Sequence, residues 1–152
     1  RLDARKRVAV MLWKQERDVE RLQQEMQGTL LEHLGLTIEG IGDDWISVRM
    51  PVDKRTIQPY GILHGGASVA LAESLGSLAS VLCIEDPATH TPVGVEINAN
   101  HLRPVPEGRY VIGTLSPIRV GRRMHVWNIE IRDPDDRLVC ISRLTIMIVE
   151  RD

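Results

Sequence analysis

Gln58-Pro59-Tyr60-Gly61-Ile62-Leu63-His64-Gly65-Gly66 runs directly into Ala67–Ile84, a stretch of small and apolar residues with a single acid, Glu73, in its middle. The first part, with a proline and three glycines, reads as a loop, and the second has the composition of a helix. A carboxylate costs several kcal/mol to bury in apolar surroundings unless it has partners. Its presence in the most apolar segment of the chain requires a reason.

On either side of this segment the texture is that of strands. Leu36–Ile41 and Trp45–Pro51 alternate apolar and polar residues around Gly42-Asp43-Asp44, a hairpin pattern. Asp86-Pro87 ends the helical region. Four more strand-like runs follow, Val93–Leu102, Arg109–Val120, Met124–Arg132 and Leu138–Val149. They are separated by Pro104–Gly108, by the turn at Gly121, and by Asp133-Pro134-Asp135-Asp136, each break carrying Pro or Gly. Two strands, one long apolar helix and four strands joined by short turns predict an α+β fold with an antiparallel sheet wrapped around the helix. The outer face and the edges of such a sheet still need cover, which argues for oligomerisation. Upstream, Arg1–Glu32 is highly charged with a bias to helix formers. Its incomplete stripe of Leu12, Val19, Leu22 and Met26, interrupted at Gly28, predicts an accessory helix. The chain therefore divides into an N-terminal helical extension, 1–21, and a single domain, 22–152.

The chain has 152 residues, 43% hydrophobic and 26% charged, which suits one domain with a substantial core. A net charge of −2 excludes a bulk basic field for nucleic acid. Cys83 and Cys140 lie in apolar segments without metal-type spacing and read as buried free thiols of a reducing compartment. The longest apolar run, Gly65–Ile84, contains Glu73 and five Ser or Gly after Gly66, and reads as a core helix rather than a membrane span. The expectation is a cytoplasmic protein with no metal, no nucleic acid and no membrane partner.

Chemistry concentrates at the junction of loop and helix. The first N–H groups of a helix lack intrahelical partners and sit at the positive end of its dipole. Gly65 and Gly66 have no side chains to keep an acyl oxygen or phosphate away from those groups, so the turn suits an oxyanion site. It suits a plain glycine-rich helix entry as well, with His64 orienting the junction. Glu73 is eight residues beyond Gly65, or roughly 12 Å along a helix. A reacting carbonyl must lie about 3 Å from its oxyanion donor and within reach of the nucleophile or base. One helix can hardly bring both groups to one carbonyl, whereas two antiparallel helices across a dimer interface can. Ser77 shares the face of Glu73, four residues on, and Gln58 precedes the glycine-rich loop with an amide to donate. A third, basic element comprises His101 and Arg103 at one strand end and Arg119, Arg122 and Arg123 around Gly121. Clustered Arg beside glycine-rich turns suits phosphates, and solvated turn charges are the alternative.

The run Gln58–Ser77, together with Ile41-Gly42-Asp43-Asp44, Met50–Asp53, Val93–His101 and Ser142–Thr145, resembles the hotdog-fold acyl-CoA thioesterases over roughly Leu22 to Val149. The pairing of His-Gly-Gly with Glu73 and the Asn-His strand carries the resemblance. It implies a sheet curled around a long helix, dimers with shared active sites, and dimers paired into tetramers. It implies Glu73 as nucleophile or general base, the Gly65 N–H as oxyanion donor, and Gln58, His64 and Ser77 in support. Substrate binding would fall to Gly66, Gly94, His101, Leu102, Arg103, Pro104 and the segment Arg119, Val120, Gly121, Arg122, Arg123 and Met124. Coenzyme A enters only as part of the substrate, with no other cofactor, and an acyl-carrier-protein thioester is an alternative donor. The branch implied is the one acting on aroyl-CoA, such as hydroxybenzoyl- or dihydroxynaphthoyl-CoA. A non-catalytic acyl-CoA sensor and an enoyl-thioester hydratase of the same fold stay open as other readings.

Overall fold

The computed structural model describes residues 11–152 and centres on one helix, α3 (Gly65–Cys83). Before it come two short helices, α1 (Val19–Glu25) and α2 (Leu30–His33), and the strands β1 (Thr37–Ile41) and β2 (Ile46–Pro51). After it come β3 (His90–His101), β4 (Tyr110–Val120), β5 (Met124–Arg132) and β6 (Leu138–Glu150). The six strands form one antiparallel sheet in the order β1-β2-β4-β5-β6-β3. The chain passes from β2 through α3 to the far edge, so that β3 pairs only with β6. Every element expected from alternation and turn chemistry is present, with ends shifted by a few residues.

Alternation explains how the sheet meets α3. Along β5, His125, Trp127, Ile129 and Ile131 are buried and the residues between them are not. Ile46, Val48 and Met50 of β2 and Val111 and Leu115 of β4 continue the same apolar face. The helix buries Leu71, Ala72, Leu75, Ala79 and Leu82 against it. Gly76 lets α3 approach β6 closely, since a Cβ there would overlap Leu144 Cδ2. The length of α3 and its mean hydropathy of 1.4 would suit a membrane span, yet half of that stretch is buried inside the fold. Cover is not complete, however. Val69, Ala70, Glu73, Ser74, Ser77, Leu78 and Val81 recur at helical spacing as a half-buried stripe that the sheet covers only in part.

The expected N-terminal helix is present as α1, but shorter than the sequence suggests. Residues 1–10 lie outside those described, and residues 11–18 form no helix. Helix begins only at Val19, where the Asp18 side chain accepts the Arg21 N–H at 3.1 Å. It stops before Gly28, which has φ +72°. Residues 13–15 instead form a strap over the C-terminal end of α3. The N–H groups of Lys14 and Gln15 both donate to the Leu82 carbonyl, at 2.7 and 3.0 Å. The Gln15 side-chain amide donates to the Ile84 carbonyl at 2.7 Å. These are carbonyls that a helix end leaves without partners. Trp13 is drawn inward to stack on Trp127, with ring centroids 6.4 Å apart, and its Nε1–H donates to the Gly42 carbonyl. Local helix propensity yields here to tertiary contacts worth more.

Beneath the strap lies a buried polar chain. Trp127 Nε1–H donates to Ser80 Oγ at 2.9 Å, and Ser80 Oγ stands 2.9 Å from His125 Nδ1. Indole nitrogen can only donate, so the Ser80 hydroxyl proton is free to go to His125 Nδ1. Burial pushes the His125 pKa down, the Gly121 carbonyl opposing it.

Two outcomes follow from this packing. Trp13→Ala removes a buried indole and a buried hydrogen bond and should destabilise the chain by about 3–5 kcal/mol in urea unfolding. Because folded His125 binds a proton less readily than it does unfolded, stability is fully present above the unfolded histidine pKa and falls as pH drops through about 6.5. Thermal unfolding between pH 7.5 and 5.5 should show this fall, and His125→Gln should flatten it. An unchanged pH slope in that variant would assign the fall to other groups.

Candidate active site

The loop before α3 is held by its own backbone. Gln58 N–H donates to the Ile62 carbonyl and Gly61 N–H to the Gln58 carbonyl, both at 2.9 Å, and Gly61 has φ +74° as this tight turn requires. The Gln58 side-chain oxygen accepts the Tyr60 N–H. Its amide NH2 has no partner among the described residues, and Gln58 lines a pocket of about 390 Å³. His64 is the N-cap of α3, its Nδ1 accepting the Gly66 N–H at 2.8 Å. The Ala67 and Ser68 N–H groups return to the His64 carbonyl. The Gly65 N–H donates to nothing among the described residues, and Gly65 faces the same pocket.

The end of β3 closes this pocket. A Cβ on Gly65 would stand 2.9 Å from His101 Nε2, so the imidazole lies directly over the helix N-terminus. Leu102, Arg103 and Pro104 continue the wall, and Leu102 is 55% exposed. Arg103 donates to the Leu138 carbonyl at 3.1 Å, which anchors it to β6. Ser68, buried one helical turn beyond Gly65, also lines the pocket, as does Val139. Sequence reading missed both. Ser68 was within reach of the i, i+3 rule applied from Gly65, while Val139 gave no signal because only the sheet register brings β6 there.

Glu73 stands apart from this pocket. It lies on the half-buried stripe of α3, with Ser77 one turn further along. Its carboxylate makes no hydrogen bond among the described residues and lies against Gly94 of β3, where a Cβ would overlap Oε1 and approach Cδ to 3.2 Å. Helix and strand run in opposite directions, so Gly65 meets His101 and Glu73 meets Gly94. The register also carries the turn Arg119–Met124 to this second end, since Met124 pairs with Met147 and Met147 with Val93. His101 pairs with Cys140, seven residues away along β6, or about 23 Å of strand. In one chain the expected substrate-binding residues thus fall into two groups. Gly65, Gly66 and His101–Pro104 are at one end, and Gly94 with Arg119–Met124 at the other.

The 119–124 turn is closed by Gly121 N–H donating to the Met124 carbonyl at 2.9 Å, while Ile148 N–H donates to the Arg123 carbonyl. Arg119, Arg122 and Arg123 are exposed. Val120, Gly121 and Arg122 open onto a second cavity of about 730 Å³ at the C-terminal end of α3, shared with Cys83 and His90. Burial raises the Cys83 thiol to about 12, so it is no nucleophile at neutral pH. Among the described residues no cluster of His, Cys, Asp or Glu could hold a metal ion.

The thioesterase superfamily model matches residues 60–140. The chain is 50% identical over 139 residues to 1,4-dihydroxy-2-naphthoyl-CoA hydrolase of Escherichia coli K12, covering 91% of this chain and 100% of that protein. It is 45% identical over 139 residues to the proofreading thioesterase EntH of Cronobacter sakazakii, covering 91% and 99%. The crystal structure of thioesterase HI1161 from Haemophilus influenzae superimposes with a TM-score of 0.87 at 50% identity, covering 92% of this chain and 96% of that one. A sheet wrapped around one long helix is the fold this chain shares with that structure. The chain belongs to the thioesterase superfamily, hotdog-fold enzymes that hydrolyse thioesters.

Proposed function

We propose that the chain hydrolyses an aroyl-CoA, such as a hydroxybenzoyl- or dihydroxynaphthoyl-CoA, to the free acid and CoA, at a site shared by two copies. The observation that carries this reading is the pair of unsatisfied groups on α3: a Gly65 N–H and a Glu73 carboxylate, neither with a hydrogen bond among the described residues. They are separated by about 12 Å of helix, too far for one carbonyl. A two-fold axis that sets two α3 helices antiparallel would bring each Glu73 to the other copy's Gly65. The same operation would bring the His101–Pro104 end of one copy towards the Arg119–Met124 end of the other, so that both hold one CoA. The half-buried stripe of α3 and the edge strand β3, with Val93 44% and Val95 55% exposed, are surfaces that a second copy would cover. A tetramer follows if such dimers pair through the outer face of the sheet. The aryl preference is supported by the 50% identical naphthoyl-CoA hydrolase, and an acyl-carrier-protein thioester is a second donor of the same chemistry. A cytoplasmic location accords with a CoA substrate.

The chemistry needs few groups. The Gly65 N–H polarises the thioester carbonyl, and the free Gln58 NH2 lies in the same pocket. Glu73 either adds to the carbonyl carbon or deprotonates a water that does so. Collapse of the tetrahedral intermediate breaks the C–S bond, and the CoA thiolate leaves with the electron pair and is protonated by solvent. On the first route water then hydrolyses the Glu73–acyl anhydride; on the second the acid is formed directly.

Thiol release from a panel of acyl-CoAs should give the highest kcat/KM with aryl substrates. No release, or a tenfold preference for aliphatic chains, would overturn this assignment. Glu73→Gln should lower kcat by about 10²- to 10⁴-fold while leaving thermal unfolding near that of the wild type. Single-turnover hydrolysis in ¹⁸O water labels the Glu73 carboxylate only if the anhydride forms. Mixing Glu73→Gln and Gln58→Ala subunits after unfolding and refolding should restore about a quarter of wild-type activity, since one of the two sites in each mixed dimer is then intact. Restoration absent would place both residues of a site in one chain.

A further inference from the structure

The register of β3 changes where the strand passes Glu73. Gly94 pairs with Ile146 and Glu96 with Thr145, so Val95 is an extra residue, a β-bulge. Further along, Ile97 and Ala99 turn towards the core. Side chains alternate strictly along a regular strand, which would direct Val95 to that same face and onto α3. The bulge shifts the phase. Val95 turns outward, 55% exposed, and Gly94 takes the place facing the helix. The space that a side chain would occupy at Gly94 holds the Glu73 carboxylate, whose Oε1 a Cβ would overlap. With no hydrogen bond to fix it among the described residues, the carboxylate is located by the helix on one side and the bare backbone of Gly94 on the other.

We propose that Gly94 and the bulge at Val95 form a seat that positions the Glu73 carboxylate, and that Gly94 acts on the reaction through Glu73 rather than by touching CoA. The proposal rests on the thioesterase reading given above for Glu73. A group crowded at Gly94 displaces the tip of a flexible, half-exposed side chain, which a fold tolerates easily. The reaction tolerates it poorly, because a misplacement of about 1 Å at a reacting group costs about 10²-fold in rate.

The decisive experiment is Gly94→Ala, examined by crystallography and by steady-state kinetics in the wild-type and Glu73→Asp backgrounds. The expected crystal structure keeps the backbone of β3 and moves the Glu73 carboxylate by about 1 Å or more. The expected kinetics are a 10- to 100-fold loss in kcat with KM within twofold. Aspartate is one methylene shorter and does not reach the seat, so the same change in the Glu73→Asp background should cost less than threefold. An unmoved carboxylate overturns the seat whatever the activity, so this arm holds even if the thioesterase reading fails. A raised KM with unchanged kcat assigns Gly94 to substrate contact instead. Equal losses in both backgrounds show that Gly94 does not act through Glu73.

Discussion

A helix is a ruler, and the whole arrangement of this protein depends on that. Eight residues of α3 fix about 12 Å between the open N–H of Gly65 and the carboxylate of Glu73, and no side-chain rotation closes such a gap. The sheet respects the same measure: β3 runs back along α3, placing His101 over one group and Gly94 against the other. Each chain thus carries two candidate half-sites, one at the start of α3 and one on its half-buried stripe. What the fold leaves partly uncovered, that stripe of α3 and the free edge of β3, is continuous with those half-sites.

The opposite end of α3 is treated differently. Its last carbonyls are satisfied by the strap at residues 13–15, and Trp13 seals the strap onto Trp127. Below it, the Trp127 indole donates to the Ser80 hydroxyl, which meets His125 Nδ1. A buried polar group without a partner costs about 1–3 kcal/mol, and here each donor has an acceptor. The N-terminal end of the helix is left open at Gly65, and the C-terminal end is closed.

The elements were legible because their signals are local. Alternation in Met124–Arg132 and Leu138–Glu150, the Asp133–Asp136 turn and the apolar run of α3 each announce themselves within a dozen residues. The strap was not legible. Residues 11–18 have helical composition, and only Trp127, more than a hundred residues away, shows why they stay extended. Gln58, His64, Gly65 and Glu73 were singled out from the chemistry of a helix start and of a misplaced acid, and the fold brings Gln58 and Gly65 to one pocket with Glu73 apart from it. The division of the substrate-binding residues into two groups was invisible, because it follows from strand register rather than from any motif. The bulge beside Gly94 was equally invisible: a bulge is a property of two strands, and β6 lies some fifty residues downstream.

The capping of α3 has a chemical consequence. His64 consumes the Gly66 N–H, so this turn offers a carbonyl oxygen one main-chain donor, that of Gly65, and not a pair. A single donor stabilises less negative charge on oxygen, which suits an acyl group that is already strongly electrophilic and departs from a weakly basic leaving group. Thiols ionise near pH 8.5, whereas alcohols and amines leave only as far stronger bases. On the reading of Gly65 as the oxyanion donor, the capping by His64 matches the site better to thioesters than to oxygen esters or amides of the same acyl group.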